Sequence, residues 1–320
     1  MIAAVAPALV LAAGFGARFH PLSLARAKPA APVAGLPLVG RILAWLAGHG
    51  IREVVINLHH RPETVAAAVG DGADWGVRVR YSWEPRLLGT AGGPRHALPL
   101  LDAPRFFIVN GDTLTDLDPH ALADCHRAAG ALVTLALIPN PDPARYGGVL
   151  VERDRVRAFV PPGGVSESFH FIGVQIAEAS VFEPLADGRP ADSVGELYRT
   201  LLAERPGAIA AYVCDAAFED LGTPADYLRT CLEVARREGR PPAALAGADC
   251  RVDRTARVER TVLWDRVSVG PRAVLVECVV ADDVEVPAGA ELVRCAVARA
   301  RGAAGDPVIV PLEAGARAGA

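Results

Sequence analysis

Short apolar runs alternate with stretches of helical period through the first two thirds of this 320-residue chain, the signature of βα units around a mainly parallel sheet. The first run, Ala8–Ala12, breaks into Gly14 and Gly16 and predicts a buried strand with a glycine turn behind it. Apolar residues at 38, 39, 42, 43, 45 and 46, closed by Gly48, predict a helix over 38–48. Strands are expected at 53–57 and 77–81, with helices at 62–69 and 92–101. The run "RFFIVNGD", Arg105–Asp112, is a strand that stops at a glycine and a carboxylate, where open α/β sheets hold their ligands. Further strands, some of them antiparallel, are read at 131–138, 147–152, 155–160 and 169–176. A helix at 223–237 precedes a Gly/Pro boundary near 238–247.

Beyond that boundary the period changes to six. Val252, Val258 and Trp264 are six apart, as are Val267, Ala273 and Val279, and Val284, Ala290 and Ala296. A hexad with small or branched residues at the repeat position suits a β-helix, in which successive coils bury one apolar column. An antiparallel sheet whose alternation matches six is the competing reading, and two breaks in phase count for it. The expected domains are 1–238, an α/β domain, and 245–310, a β-helix-like tail of about three coils.

Composition narrows the function. At 51% apolar and a net charge of -4, with acids and bases well mixed, the chain has a large core and no bulk charge that points to nucleic acid or a membrane surface. No run approaches the roughly 20 apolar residues of a transmembrane helix. The apolar stretch 1–14 lacks a basic flank and reads as a strand rather than a signal peptide. Six scattered cysteines without a CxxC pair read as reduced thiols, and the expected location is cytoplasmic.

The glycine turn has two familiar readings that fail. A dinucleotide fingerprint wants GxGxxG and an acid about 20 residues later; here Phe19 takes the third glycine position and no acid occurs between Gly16 and Glu53. A Walker loop has no match. What remains is a backbone nest with Arg18 just beyond it and Lys28, the chain's only lysine, on the next segment. Directional N–H groups with fixed positive charge suit phosphates.

With "LAAGFGARFHPLSLARAKPAAPVAGLPLV" the chain resembles the sugar-1-phosphate nucleotidyltransferases, whose signature is roughly LAxGxGxRxxPLTxxxPKPxxPVxxxPL. The resemblance continues through "LGTAGG" (88–93), "VNGDTLTDLD" (109–118), "RYGGV" (145–149) and "FEDLGTPADYL" (218–228), in order over residues 8–235. Mannose-1-phosphate guanylyltransferases and N-acetylmuramate-1-phosphate uridylyltransferases look most similar, and the tail resembles the left-handed β-helix that many members carry. The fold implied is a Rossmann-like, mixed, mainly parallel sheet with that short tail.

The resemblance implies a reaction and a site. A sugar 1-phosphate oxygen attacks the α-phosphorus of a nucleoside triphosphate, and pyrophosphate departs without a covalent intermediate. It implies Asp112 and Asp220 as ligands of a divalent cation, Mg²⁺ by its preference for a few carboxylates completed by phosphate and water. Arg18 and Lys28 are the catalytic cations. Leu11, Ala12, Ala13, Gly14 and Gly16 line the nucleotide by their backbone, with Glu84, Gly89, Thr90 and Gly111 beside it. Gly147 and Phe171 are placed at the sugar. For "LGTAGG" a helix N-terminus capped by Thr90 is the plain alternative, and such a terminus is itself a favourable anion site. Asp116 and Asp118 read as solvated or helix-capping. The adjacent His59 and His60 read as structural, because neighbouring histidines on one short segment rarely share an ion.

Departures from the pattern matter. Ala17 stands where the family usually has threonine, and "VPPGGVSES" carries no lysine where many members hold the sugar phosphate. Arg157 or His170 is the expected substitute. Rival readings are a non-catalytic nucleotide-binding relative, a bifunctional acetylating enzyme, which the histidine-free tail disfavours, and a nicotinamide oxidoreductase. The expected partners are NTP and sugar 1-phosphate, and the tail is a candidate for homo-oligomer formation.

Overall fold

The computed structural model describes residues 6–165, 167–241, 244–300 and 305–312. Parts of several expectations lie outside the described residues: positions 1–5 of the apolar lead, Ser166 of the 160–168 loop, 242–243 of the linker and 301–304 of the tail. In chain order the α/β elements are β1 (Ala8–Leu11), β2 (Pro32–Val33), β3 (Leu36–Pro37), α1 (Leu38–Gly48), β4 (Glu53–Leu58), α2 (Pro62–Val69) and β5 (Arg78–Trp83). There follow α3 (Gly89–Leu101), β6 (Arg105–Asn110), β7 (Thr113–Thr115), α4 (Pro119–Ala129), β8 (Val133–Pro139), β9 (Gly148–Glu152) and β10 (Arg155–Val160). The series ends with β11 (Phe169–Glu178), α5 (Tyr198–Glu204), β12 (Ile209–Val213), β13 (Phe218–Asp220) and α6 (Pro224–Arg237).

Contacts divide the chain into two compact units that are discontinuous in sequence. One holds Met1–Gly14, Arg41–Pro62 and Val69–Glu219; the other holds Phe15–Gly40, Glu63–Ala68 and Asp220–Ala320. The segment Phe15–Gly40 thus groups with the tail and not with the strand that precedes it.

The first unit is built on a nine-stranded sheet in the order β5-β4-β1-β6-β11-β8-β12-β10-β9. β5, β4, β1 and β6 run parallel, so their carboxyl ends share one edge. β4, β1 and β6 are mainly apolar runs because both faces are covered, as a parallel sheet requires, whereas the edge strand β5 alternates. Leu9, Val55, Phe106, Ile108, Leu135 and Leu137 lie in one buried cluster. β11 turns antiparallel to β6 and β8, and its register shifts between Phe171 and Gln175. Asp118 caps α4 by accepting the N–H of His120 at 2.8 Å.

The second unit contains the coils. Three parallel ladders pair residues 17 apart: Val262 with Val279, Val269 with Val286, and Leu275 with Leu292. Each coil is therefore two sides of six and one of five. That corrects the phase of the hexads: Val267/Ala273/Val279 and Val284/Ala290/Ala296 are equivalent, but their first-coil counterpart is Cys250/Ala256/Val262, not Val252/Val258/Trp264. Val252 is 43% exposed, whereas Val267, Ala273 and Val284 are fully buried. The chain turns through the left-handed region at Asp249, Arg266 and Asp283, and again at Arg260, Glu277 and Arg294, each set 17 apart. Val308–Pro311 pairs antiparallel with Cys295–Ala298 and closes one ladder. All six cysteines are free thiols. Among the described residues no helix is long and apolar enough to cross a membrane.

Candidate active site

At the shared edge of the first unit, β1 ends at Leu11 in register with Asn57 of β4 and Asn110 of β6. The Gly111 N–H donates to the Leu11 carbonyl at 2.9 Å, and the Ala12 N–H donates to Asn57 Oδ1 at 2.6 Å. The Ala13 carbonyl accepts the His60 N–H at 3.4 Å. The backbone of Leu11–Ala13, expected to be presented to the nucleotide, thus already spends its Ala12 donor inside the protein. Gly14 leaves this lattice exposed.

Glu84 sits beneath the edge rather than on it. It is fully buried, accepting from Asn57 Nδ2 at 2.7 Å and from the Leu88 N–H at 2.8 Å. It thereby ties Asn57 to the start of the Leu88–Gly93 turn. A Cβ on Gly93 would stand 2.8 Å from both Asn57 Nδ2 and Glu84 Oε1.

The start of α3 also departs from expectation. Leu88, not Thr90, is the cap position, and Gly89 takes φ +78° with its α-hydrogen facing the Ala191 carbonyl, where a Cβ would come to 2.7 Å. That carbonyl accepts the N–H groups of Ala91 and Gly92 at 3.0 and 3.2 Å. Two donors that would make this helix an anion site are therefore occupied by the protein's own backbone. Thr90 Oγ1 accepts from the Ser193 N–H at 2.8 Å and donates to Asp192 at 3.1 Å, so it ties α3 to the Asp192–Ser193 turn.

Asp112 follows Gly111 directly at the end of β6 and is partly exposed. Beside it the shifted register of β11 brings Gly173, at φ +79°, against the Asn110 side chain. A bulge of this kind re-aims side chains, and the half-buried Phe171 lies at its start. Gly147 precedes β9. Flanking both sugar candidates is a cluster of rings: His170 lies 4.5 Å from Tyr146 and 4.7 Å from Phe218 between centroids, with the Arg145 guanidinium 4.9 Å above Tyr146. Arg157, the other expected phosphate partner, pairs at 3.0 Å with Glu152 on an exposed face.

The second unit carries Gly16, Arg18, Lys28 and Asp220. Gly16 turns at φ +62° and its carbonyl accepts the Phe19 N–H at 2.8 Å, which lifts Arg18 onto an exposed single turn. A Cβ on Gly222 would stand 3.1 Å from both Asp220 oxygens and 3.4 Å from Arg18 Nη1, so a carboxylate and a guanidinium border the same glycine. Lys28 is buried at 7% exposure.

Sequence reasoning passed over Asn57, Asn110 and Gly173. Asn57 left a signal: a carboxamide closing an otherwise apolar run, in "EVVINLHH", is a polar group at the ligand edge of a parallel strand. Gly173 sits inside "FHFIGVQI", where an interior glycine signals a bulge. Among the described residues no three His, Cys, Asp or Glu side chains converge as a metal cluster.

Two family models match: nucleotidyl transferase over residues 7–237, and a GlmU-like C-terminal hexapeptide over 239–295. The mannose-1-phosphate guanylyltransferase of Mycobacterium tuberculosis is 32% identical over 301 residues, covering 90% of this chain and 83% of its own. The N-acetylmuramate alpha-1-phosphate uridylyltransferase of Neisseria meningitidis serogroup B is 37% identical over 221 residues, 68% of this chain and 93% of its own. Among solved structures, HddC from Yersinia pseudotuberculosis superposes with a TM-score of 0.63 at 22% identity, covering 72% of this chain and all of that one, which shows the fold.

Proposed function

This chain belongs to the sugar-1-phosphate nucleotidyltransferases, and from that membership we propose how its own residues carry out nucleotidyl transfer. An enzyme of this family joins a nucleoside triphosphate to a sugar 1-phosphate: an oxygen of the sugar phosphate bonds to Pα, the Pα–O–Pβ bond breaks, and pyrophosphate leaves. Little covalent work falls to the protein, so positioning and charge neutralisation carry most of the barrier reduction.

The observation that carries the reading is the edge at the ends of parallel strands, where Ala12 is bonded to Asn57 and Gly111 to Leu11, with Asp112 following directly in the chain. Leu11–Gly14 and Gly16 face the nucleotide along their backbone. Gly89 and Thr90 shape its flank, and Glu84 fixes Asn57 from below. Arg18 neutralises the β- and γ-phosphates and the departing pyrophosphate, and Lys28 serves the reacting phosphates.

A divalent cation is general to the family's chemistry, and Mg²⁺ is the ion proposed. Asp112 and Asp220 each supply hard carboxylate oxygens, the donors preferred by an ion that takes one or two carboxylates and completes its shell with phosphate and water. Bound there, it would neutralise phosphate charge. At the acceptor side Gly147 and Phe171 meet the sugar. His170 takes the place of the missing lysine, supported by its position in the ring cluster while Arg157 is engaged with Glu152.

Guanylyl transfer to a hexose 1-phosphate is the first reading, because the mycobacterial relative matches across both regions of the chain. Uridylyl transfer to a muramate-like sugar is the second, favoured by the lysine-free acceptor segment. A cytoplasmic location is the one proposed, supported by six scattered cysteines without a CxxC pair in the sequence. Exposed Val293 and Ile309 on the coils support self-association there, which sedimentation of the intact chain checks. A pyrophosphate-release screen of the four NTPs and dTTP against hexose 1-phosphates with Mg²⁺ tests the whole assignment. Release with no pair, while NTP still binds, would favour a non-catalytic relative.

A further inference from the structure

Arg26 lies two residues before Lys28, at a position the family pattern leaves open, and its side chain reaches far along the sequence. Its Nε and Nη2 donate to the two oxygens of Asp282 at 2.6 and 2.5 Å, and Nη2 also donates to Asp265 at 2.5 Å. Asp265 and Asp282 are 17 residues apart, the same position on successive coils, and the Asp265 N–H donates to Asp282 Oδ1 at 3.0 Å. The guanidinium carbon stands 5.5 Å from the ring centroid of Trp264, which is fully buried. The three charged side chains are between 10% and 28% exposed, so water screens them less than a surface pair.

The same segment is held at two further points. Phe19, the residue after Arg18, meets Tyr227 edge-on at 5.4 Å and stacks on Trp264 at 6.5 Å. The Ala27 N–H, between Arg26 and Lys28, donates to Thr64 Oγ1 at 3.1 Å. Both proposed catalytic cations are thus bracketed by residues anchored outside their own loop, and the strongest anchor is a planar fork matched to two carboxylates.

We propose that Arg26 is a positioning residue for nucleotidyl transfer, clamped by Asp265 and Asp282 so that the coils hold the backbone that presents Arg18 and Lys28. This rests on the nucleotidyl-transfer reading, under which the coils become part of the frame that holds Arg18 and Lys28. The clamp acts on the geometry of the reacting complex, where small displacements are costly.

The test uses the full chain with Arg26→Ala, Arg26→Lys and the charge-balanced pair Arg26→Gln with Asp282→Asn. At a temperature where each variant is folded by circular dichroism, kcat for pyrophosphate release should fall about 10- to 100-fold in Arg26→Ala and in the pair, with a smaller rise in KM for sugar 1-phosphate. Arg26→Lys should recover part of kcat, because an ammonium meets one carboxylate without the fork. Lys28 is the only lysine, so acylation of its amine, read on the tryptic peptide, reports the segment without any turnover. Labelling should be several-fold faster in the pair than in the wild type.

A folded pair whose kcat stays within about twofold of wild type, with Lys28 labelling unchanged, overturns the proposal. So does a lowered melting temperature with kcat and labelling retained, since that is a merely structural contact. Should Arg26→Ala fail to fold, the Arg26→Gln/Asp282→Asn pair, in which Lys28 is still the only lysine, decides. Wild-type protein that releases pyrophosphate with no substrate pair sinks the nucleotidyl-transfer reading, while the labelling arm still tells whether the clamp holds Lys28.

Discussion

Asn57 donates through Nδ2 to Glu84 Oε1 at 2.7 Å, and the two side chains are 3% and 0% exposed. The pair works because a carboxamide offers a donor downward and an acceptor upward, where it takes the Ala12 N–H at 2.6 Å. Asn57→Asp keeps the shape and removes the donor, leaving two carboxylates face to face without solvent. The expected loss is about 3–5 kcal/mol, the scale for an uncompensated buried charge, with a raised KM for NTP as Ala12 loses its fixed position. Urea unfolding measures it, and a midpoint equal to wild type would show that the pair organises nothing.

Gly93→Ala probes the same place by volume. Its methyl would press on Asn57 Nδ2 and Glu84 Oε1, each 2.8 Å away, and the helix has little freedom to retreat with Gly92 packed on the Arg189 carbonyl. Overpacking of this kind costs about 1–3 kcal/mol. An alanine chain as stable as wild type would mean that the two polar side chains yield easily.

Much of this frame is legible in the sequence because each signal is local. The apolar runs at β1, β4 and β6 show both the strand and the covered faces, and Asp112 is visible as a carboxylate at a strand's end. The burial of Glu84, and Thr90's tie to the 192–193 turn in place of a cap, were not legible for one reason: their partners, Asn57, Asp192 and Ser193, lie 27, 102 and 103 residues away. No local pattern announces such partners. The closing of the α3 terminus by Ala191 is likewise a backbone contact that no side chain encodes. The coil phase failed differently: a six-residue period was read where the repeat is 17, and only the sum of 6, 6 and 5 accounts for the slips.

Asp112→Ala is expected to lower kcat at least about 100-fold with Mg²⁺ as the only metal, the scale for losing a preorganised charge contact. Asp112 is partly exposed and closes no core, so its melting temperature should stay near that of wild type. Asp220→Ala should behave alike, and chelation of Mg²⁺ should abolish turnover of the wild type. Pyrophosphate release measures all three, and turnover preserved in Asp112→Ala would remove it from the metal site.

His126 gives the fold a pH dependence of known sign. It is 2% exposed, with Nδ1 2.8 Å from Thr134 Oγ1 and Nε2 3.1 Å from Glu178 Oε1. Burial pushes its pKa below the ordinary 6.5, against the opposing pull of Glu178 and with the help of Arg105. The unfolded chain therefore takes up the proton at higher pH than the native one. Stability present above about 6.5 is lost as pH falls towards the lower native value, and the loss levels off once both forms are protonated. His126→Gln should flatten that slope. Melting temperatures compared at about pH 7.5 and about pH 5 check it, and an equally steep decline in the glutamine variant would place the proton elsewhere.

Trp264 makes the tail inseparable from the segment that bears Arg18. Its ring is fully buried, its Nε1–H donates to Tyr227 Oη at 2.9 Å, and Phe19 stacks on it at 6.5 Å. Tyr227 in turn donates to the Pro32 carbonyl. Trp264→Ala should cost about 3–5 kcal/mol, the scale for removing a large aromatic from a core. Deleting residues 240–320 removes that ring together with Asp265 and Asp282, and leaves Phe19, Tyr227 and the Arg26 charge without their partners. The shortened chain is expected to aggregate or to lose its cooperative melting transition, so gel filtration of it would report misfolding rather than the loss of an oligomer contact. Calorimetry of the shortened chain decides: a sharp transition near the wild-type temperature, with NTP binding retained, would show that the coils are an independent appendage.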